Sequence, residues 1–199
     1  MNVEFIITVV HPKSTLITLS ILYEAQKKDA IAQQMLFAFY GRILFRLAKR
    51  YLVDQAKTED AVAESFYIIF KRMDRCHFIA IPPFEMWMKR IVVNECLTVL
   101  RREKRFEMLG SEESGNWIIE DTAAEHLTAE EIFKLIEDLP DGYRTVFNLY
   151  EIEGYSHNEI ADLLGVSVGT SKSQLSKAKR MLQRKIIDLD SDYAKRKID

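Results

Sequence analysis

The stretch Ser156–Leu182, SHNEIADLLGVSVGTSKSQLSKAKRML, constrains this chain more than any other. Its spacing predicts a helix, a tight turn and a second helix. Ser156 and Glu159 stand three apart, as the halves of a capping box must, so a helix starts there. Ile160, Ala161 and Leu164 make its apolar stripe. Gly165 falls where the helix must stop, at a position suited to a left-handed residue. Ser167 then caps a second helix from Val168, and the small Ala161 lets that helix cross closely. Helices joined in this way form a helix-turn-helix, whose second helix lies in a DNA major groove. Between Thr170 and Ile187 there are six Lys or Arg and no acid. A surface helix with solvated lysines is the bland alternative, but caps, glycine, apolar spacing and charge all agree on the first reading.

A chain of 199 residues makes one domain or two small ones. Seven Gly and four Pro among abundant Ala, Leu, Ile, Lys and Glu favour an all-α fold. The net charge of −2 does not announce a nucleic-acid partner, but its distribution does. Glu107 to Phe133 carries eight acids and no Lys or Arg, between basic helices. The expected architecture is therefore two small helical domains joined by a flexible acidic linker, the C-terminal one a helix-turn-helix. Cys76 and Cys96 offer neither a disulfide framework nor zinc spacing, so no metal site is expected and a reducing cytoplasm fits. Cys96 reads as a small core residue. No stretch reaches the length of a membrane span. Residues 1–13 lack the basic start of a signal peptide and read as a short extended tail, or as sequence upstream of the true start.

Along 14–106, helical periodicity appears four times. Ser14–Lys28 forms the first helix. Asp29 caps a second, with Ile31, Met35, Phe39, Ile43, Leu47 and Tyr51 on its inner face. Thr58 caps a third, with Val62, Phe66, Ile69, Phe70 and Met73 as its stripe. Arg75–Pro83 is a loop, because Pro82-Pro83 excludes helix before it. The fourth runs from Phe84 to about Phe106, with Phe84, Trp87, Met88, Ile91, Val92, Val99 and Leu100 facing a core. The linker 107–127 follows, with Trp117-Ile118-Ile119 as an apolar anchor inside it. Thr128 and Glu131 form a second capping box and open the domain 128–187, in which Leu139-Pro140-Asp141 is a turn. Residues 188–199 are charged and expected to fray.

Three segments carry a family resemblance that covers about Ile21 to Ile187: Lys57–Phe70 (KTEDAVAESFYIIF), Phe84–Arg105 (FEMWMKRIVVNECLTVLRREKR) and Leu139–Leu182. In this order, across an acidic linker, they resemble the extracytoplasmic-function sigma factors, small two-domain initiation subunits of bacterial RNA polymerase. The resemblance implies a region 2-like domain over 14–106, for core polymerase and the −10 element. It implies a region 4-like domain over 128–187, for the −35 element.

It also implies residue roles. Lys172, Ser173, Ser176 and Lys177 match the groove-facing positions and share one helix face; lysine can bond guanine O6 and N7, and serine donates or accepts. Lys179, Arg180 and the Ser156 helix start suit phosphates, which position without specifying sequence. Ser171 fills a slot that is often valine, which loosens the packing of the recognition helix. Arg75–Pro83 resembles the loop that captures single-stranded −10 bases: Phe78 or His77 can stack on a base, and Lys89 and Arg90 can hold phosphates. Asn94 matches a position near that site. Arg101, Arg102 and Arg105 continue the basic helix, although cations also suit a helix C-terminus without any partner. Asp60 and Glu64 match the acids that contact the polymerase clamp and would give specificity and fast association. The glutamine usual before that glutamate is Ala63 here, and Thr98 stands where an Asp is frequent. The glycine customary after the first helix is Lys28, which leaves room for a longer helix.

The linker spans on the order of 70 Å when stretched, at about 3.3 Å per residue. It either threads the polymerase's nucleic-acid channel, as in the family, or acts as a self-repelling tether. The implied partners are core RNA polymerase (clamp and flap), double- and single-stranded promoter DNA, and an anti-sigma factor. No cofactor, small-molecule substrate or membrane embedding is expected. Three other functions compete. A response regulator would need an alternating-strand receiver with an acidic phosphorylation pocket, which Ser14–Arg105 lacks. An enzyme would need a phosphate loop or a nucleophile with its base, and no catalytic residue stands out. A polymerase-binding protein without DNA contacts would leave the basic recognition face unexplained.

Overall fold

The computed structural model describes residues 17–103 and 128–196, with side chains as far as residue 189. The expectations for 1–13, for the linker 107–127 with Trp117-Ile118-Ile119, and for Arg105 lie outside the described residues. All regular elements among them are helical. The chain divides into two compact units, Met1–Lys104 and Arg105–Asp199.

In the first unit, α1 (Leu19–Gln26), α2 (Ala30–Leu52), α3 (Gln55–Arg72), a 3-10 turn (Met73–Arg75) and α4 (Ile81–Arg102) enclose one core. Helix α1 starts later than expected, because the Thr18 hydroxyl accepts from the Ile21 amide at 3.3 Å and caps it. The longer helix through Lys28 does not form. Asp29 caps α2 by accepting from the Ala32 amide at 2.7 Å, so the chain must turn before it, and Lys28 itself takes a left-handed φ of 69°.

The buried face of α2 is Ala32, Leu36, Tyr40, Leu44, Leu47 and Tyr51; Leu47 and Tyr51 lie on it as expected, but before them it runs one row over from Ile31, Met35, Phe39 and Ile43, of which Ile31 and Ile43 are exposed. Both rows are apolar, so periodicity could not separate them. Asp54, not Thr58, caps α3, accepting from the Lys57 amide at 2.9 Å; that bond is the main reason its carboxyl sits below the usual range. Thr58 is buried inside the helix, where its hydroxyl donates to the Asp54 carbonyl at 2.5 Å. Pro82 and Pro83 occupy the first turn of α4, where no amide is needed, so they open the helix and do not precede it. The helix ends at Arg102, short of Phe106. Phe84, Met88, Val92, Val93, Cys96, Leu97 and Leu100 pack inward from it. Full burial of one such side chain stabilises by about 1.5–3 kcal/mol.

In the second unit, α5 (Ala129–Glu137), α6 (Asp141–Phe147), a π turn (Asn148–Ile152), α7 (His157–Leu164) and α8 (Val168–Arg196) follow. Both bonds of the Thr128–Glu131 capping box are present. Arg144 is buried and donates to the Glu137 and Leu139 carbonyls at 3.1 and 2.6 Å and to Asp141, which closes the α5–α6 turn. Leu135, Ile136, Leu139, Tyr143, Ala178 and Leu182 form the core, with Leu189 packed against it. Where fraying is expected from residue 188, α8 continues through the described residues to Arg196, with Leu189 packed against that core; 197–199 lie outside the described residues.

Candidate nucleic-acid interface

The α7–α8 corner has the geometry its sequence requires. Ser156 accepts from the Glu159 amide at 3.3 Å while Glu159 accepts from the Ser156 amide at 2.8 Å. Gly165 is left-handed (φ 68°, ψ 37°), and its amide returns to the Ala161 carbonyl. Ser167 accepts from the Thr170 amide at 3.0 Å and starts α8.

Successive residues of a helix turn by about 100°, which separates two faces of α8. Ser171, Gln174, Leu175, Ala178 and Leu182 are buried. Opposite them, Lys172 is exposed and Ser173, Ser176, Lys177 and Arg180 are partly exposed. The basic surface is therefore the side turned away from the unit's own core. Two residues are less available than expected. Lys179, at the edge of this face, is ion-paired with Glu151 at 2.7 Å. The Ser156 hydroxyl is engaged by Glu159 at 2.8 Å.

Ser171 does not loosen the packing. It is wholly buried, and its hydroxyl lies 2.8 Å from His157 Nδ1. The Tyr150 ring stacks on His157 at 4.4 Å. A hydroxyl thus stands where an apolar side chain is usual because an imidazole from α7 satisfies it. His157 sits below its ordinary pKa of 6.5, first through burial and then through the nearby Lys172.

In the first unit, Trp87, Arg90, Asn94, Thr98 and Arg101 recur every three or four positions and so lie in one stripe along α4. Arg90, Asn94 and Arg101 are exposed, and Arg102 is exposed beside them. Lys89 departs from this set. It is half-buried and lies about 140° round α4 from the middle of that stripe. Trp87 leaves the core it was expected to join and is only half-buried. The loop before α4 is pinned at its start, where Gln26 Nε2 donates to the Met73 and Cys76 carbonyls at 2.8 and 2.7 Å. Phe78 folds back, its ring 5.2 Å from Phe84 and 5.3 Å from Trp87. His77 and Ile79 are the side chains that this loop exposes.

On α3, Asp60 and Glu64 are exposed four apart. The stripe they begin continues through Tyr67, which is 58% exposed, with the Lys71 ammonium 5.3 Å over its ring. Sequence reading missed Tyr67, Trp87, Glu151 and His157. The spacing of Trp87 from Asn94 and of Tyr67 from Glu64 carried a signal; the Glu151 and His157 contacts arise only on folding. Among the described residues no group of three or more His, Cys, Asp or Glu can hold a metal ion. Nor is any described helix long and apolar enough to cross a membrane.

Comparison with known proteins places the chain in a family. Residues 36–106 match the family description "Sigma-70 region 2", and residues 129–182 match "Sigma-70, region 4". The chain is 30% identical over 174 residues to the ECF RNA polymerase sigma-E factor of Salmonella typhimurium, covering 81% of this chain and 90% of that protein. It is 28% identical over 180 residues to the ECF RNA polymerase sigma-E factor of Haemophilus influenzae, covering 84% and 94%. A solved structure of the sigma factor RpoE with the anti-sigma factor NepR from Bartonella quintana matches at 21% identity and a TM-score of 0.48, covering 79% of this chain and 97% of that one.

Proposed function

The chain belongs to the ECF RNA polymerase sigma factors, and we propose that its three exposed surfaces divide that work as follows. The outward face of α8, through Lys172, Ser173, Ser176 and Lys177, reads the −35 element, with Arg180 and Lys179 on phosphates. The α4 stripe, with Arg90, Asn94, Arg101, Arg102 and the aromatic pair Phe78–Trp87, receives the −10 strand as the duplex opens; His77 lies at its border. Asp60 and Glu64, with Tyr67 between them and Lys71, dock on the polymerase clamp. Interfaces favour an exposed tyrosine, and acids beside it add specificity and speed of association.

The protein is a transcription initiation factor: it binds core RNA polymerase and promoter DNA and is not itself a catalyst. Its place is the cytoplasm, with its polymerase. The working domains are 14–106 and 128–187, and 107–127 threads or tethers between them. An anti-sigma factor that masks the α3 and α8 faces is the expected regulator. The observation that carries this reading is a single chain holding both region 2 and region 4 at 30% identity to a sigma-E factor along 90% of its length.

The test is a pull-down with purified core polymerase, followed by run-off transcription on fragmented genomic DNA from the same organism. Stable binding with discrete promoter-directed transcripts is expected. A folded protein that does not bind core overturns the proposal.

A further inference from the structure

The loop Cys76–Ala80, which joins the 3-10 turn to α4, is held by side chains from the helices around it. At its start the Gln26 side-chain amide, on the last residue of α1, donates to the Met73 carbonyl at 2.8 Å and to the Cys76 carbonyl at 2.7 Å, across 47 and 50 positions of chain. That nitrogen carries two hydrogens, and each has its own acceptor. Beyond the loop, the Tyr40 hydroxyl of α2 donates to Glu85 near the start of α4 at 2.9 Å. Between these ties the Phe78 ring rests on Phe84 and Trp87 at 5.2 and 5.3 Å. His77 and Ile79, on either side of Phe78, project into solvent.

Gln26 stands on a firm base. Gln33 of α2 donates to the Ala25 carbonyl at 3.1 Å, and Leu22 and Ala25 are buried. Other bonds at the start of the loop are local or long. The Cys76 amide reaches the Met73 carbonyl at 3.2 Å, Cys76 Sγ reaches the Arg72 carbonyl at 3.5 Å, and the exposed Lys28 lies 3.9 Å from Asp74. The two bonds of Gln26 therefore fix where the chain leaves α3. Capping the last carbonyls of a helix normally serves stability. Here one of the two carbonyls belongs to the first residue of the loop beside the α4 stripe.

We propose that Gln26 is a positioning residue for promoter opening: its amide sets the loop Cys76–Ala80 in place before the −10 strand arrives. This rests on the reading of the α4 stripe and its loop as the −10 surface. A loop that is ordered in the free protein meets its ligand without an ordering cost, whereas a loose one must be ordered on binding. That cost falls on the strand whose bases the loop engages. A strand that does not seat there never orders the loop, so it is bound equally well with or without the tie. Gln26 thus raises affinity for the matched −10 strand and touches no DNA itself.

The experiment uses the full chain assembled with core polymerase. Fluorescence anisotropy compares three probes from a promoter found by run-off. One is a fork with a duplex −35 element and a single-stranded −10 element, one is the same fork with its −10 bases scrambled, and one is the −35 duplex alone. Gln26→Met keeps an unbranched side chain and removes both donors; Gln26→Ala removes them without adding apolar bulk. Each is expected to weaken the matched fork about two- to tenfold, as befits one group that must now be ordered on binding. The scrambled fork, the −35 duplex and assembly with core should be unchanged. Hydrogen exchange of the free chain should show the amides of Cys76–Ala80 opening faster while those of α2 and α4 hold.

A matched fork that both variants bind as the wild type does overturns the proposal. The α4 reading survives that result if Arg90→Ala with Asn94→Ala still weakens the fork. Equal weakening of all three probes, or faster exchange throughout α2 and α4, also overturns it, because Gln26 then serves only the fold. If the wild-type holoenzyme binds both forks alike, or Arg90→Ala with Asn94→Ala changes nothing, α4 is not the −10 surface and the proposal falls with its premise.

Discussion

At Lys172 and Lys177 the question is which atom each ammonium meets. Both lie on the outward face of α8, and a contact to a base edge differs from one to a phosphate in what its loss does. Lys172→Ala or Lys177→Ala is expected to weaken −35 binding by about 1–3 kcal/mol and relax sequence preference if the side chain reads a base. Equal losses on matched and scrambled duplexes would assign a phosphate instead. His157 makes a different prediction. Burial, Lys172 and Lys179 disfavour its charged form, while Glu151 favours it, and the net pKa is below 6.5. The unfolded chain therefore takes up a proton before the folded one does. The stability this gives is complete above pH 6.5 and is lost as pH falls through 6.5 toward the folded value. Thermal melts from neutral to mildly acidic pH should show the second unit weakening, and His157→Gln should flatten that slope. A wild-type slope that His157→Gln leaves unchanged would assign the effect to other groups.

The elements show which sequence signals are local enough to trust. Ser156–Glu159 and Thr128–Glu131 each specify a helix end through two side chains and their nearest amides, Gly165 does so through a left-handed backbone, and all three formed as expected. The α1–α2 turn did not. Its residue with left-handed backbone is a lysine (φ 69°), and nothing in lysine's own preference announces that. The constraint comes from Asp29, which caps α2 and leaves Lys28 to complete the turn. A left-handed non-glycine residue costs about 1–2 kcal/mol, partly offset on replacement by glycine's greater freedom when unfolded. Lys28→Gly should therefore raise the stability of the first unit by about 0.5–1 kcal/mol. Chemical denaturation measures it, and a loss of stability would mean that the exposed contact of Lys28 with Asp74 at 3.9 Å matters more than the strain. Val53, β-branched and at φ 59°, is strained in the same way between α2 and α3.

For the whole molecule, a sigma factor needs its polymerase contact independent of its fold. Asp60 and Glu64 are exposed on α3, while the core side of that helix is Ala61, Val62, Ser65, Phe66 and Ile69. Asp60→Lys with Glu64→Lys should abolish core-polymerase binding in a pull-down and leave the melting curve unchanged. Binding that survives the double reversal would remove both residues from the interface. The sequence by itself determined the all-helical class, the capped helix-turn-helix, the one-signed charge of α8 and the order of the two sigma regions. These depend on neighbours within one helical turn, or on charge and order along the chain. Only the tertiary structure decided which of two adjacent apolar rows faces inward along α2 before Leu47, and that Phe78 folds onto Trp87. It alone brought His157 to Ser171 and Glu151 to Lys179. Apolar periodicity is degenerate when neighbouring rows are equally apolar. A contact between residues fourteen or more positions apart exists only once packing has brought their helices together.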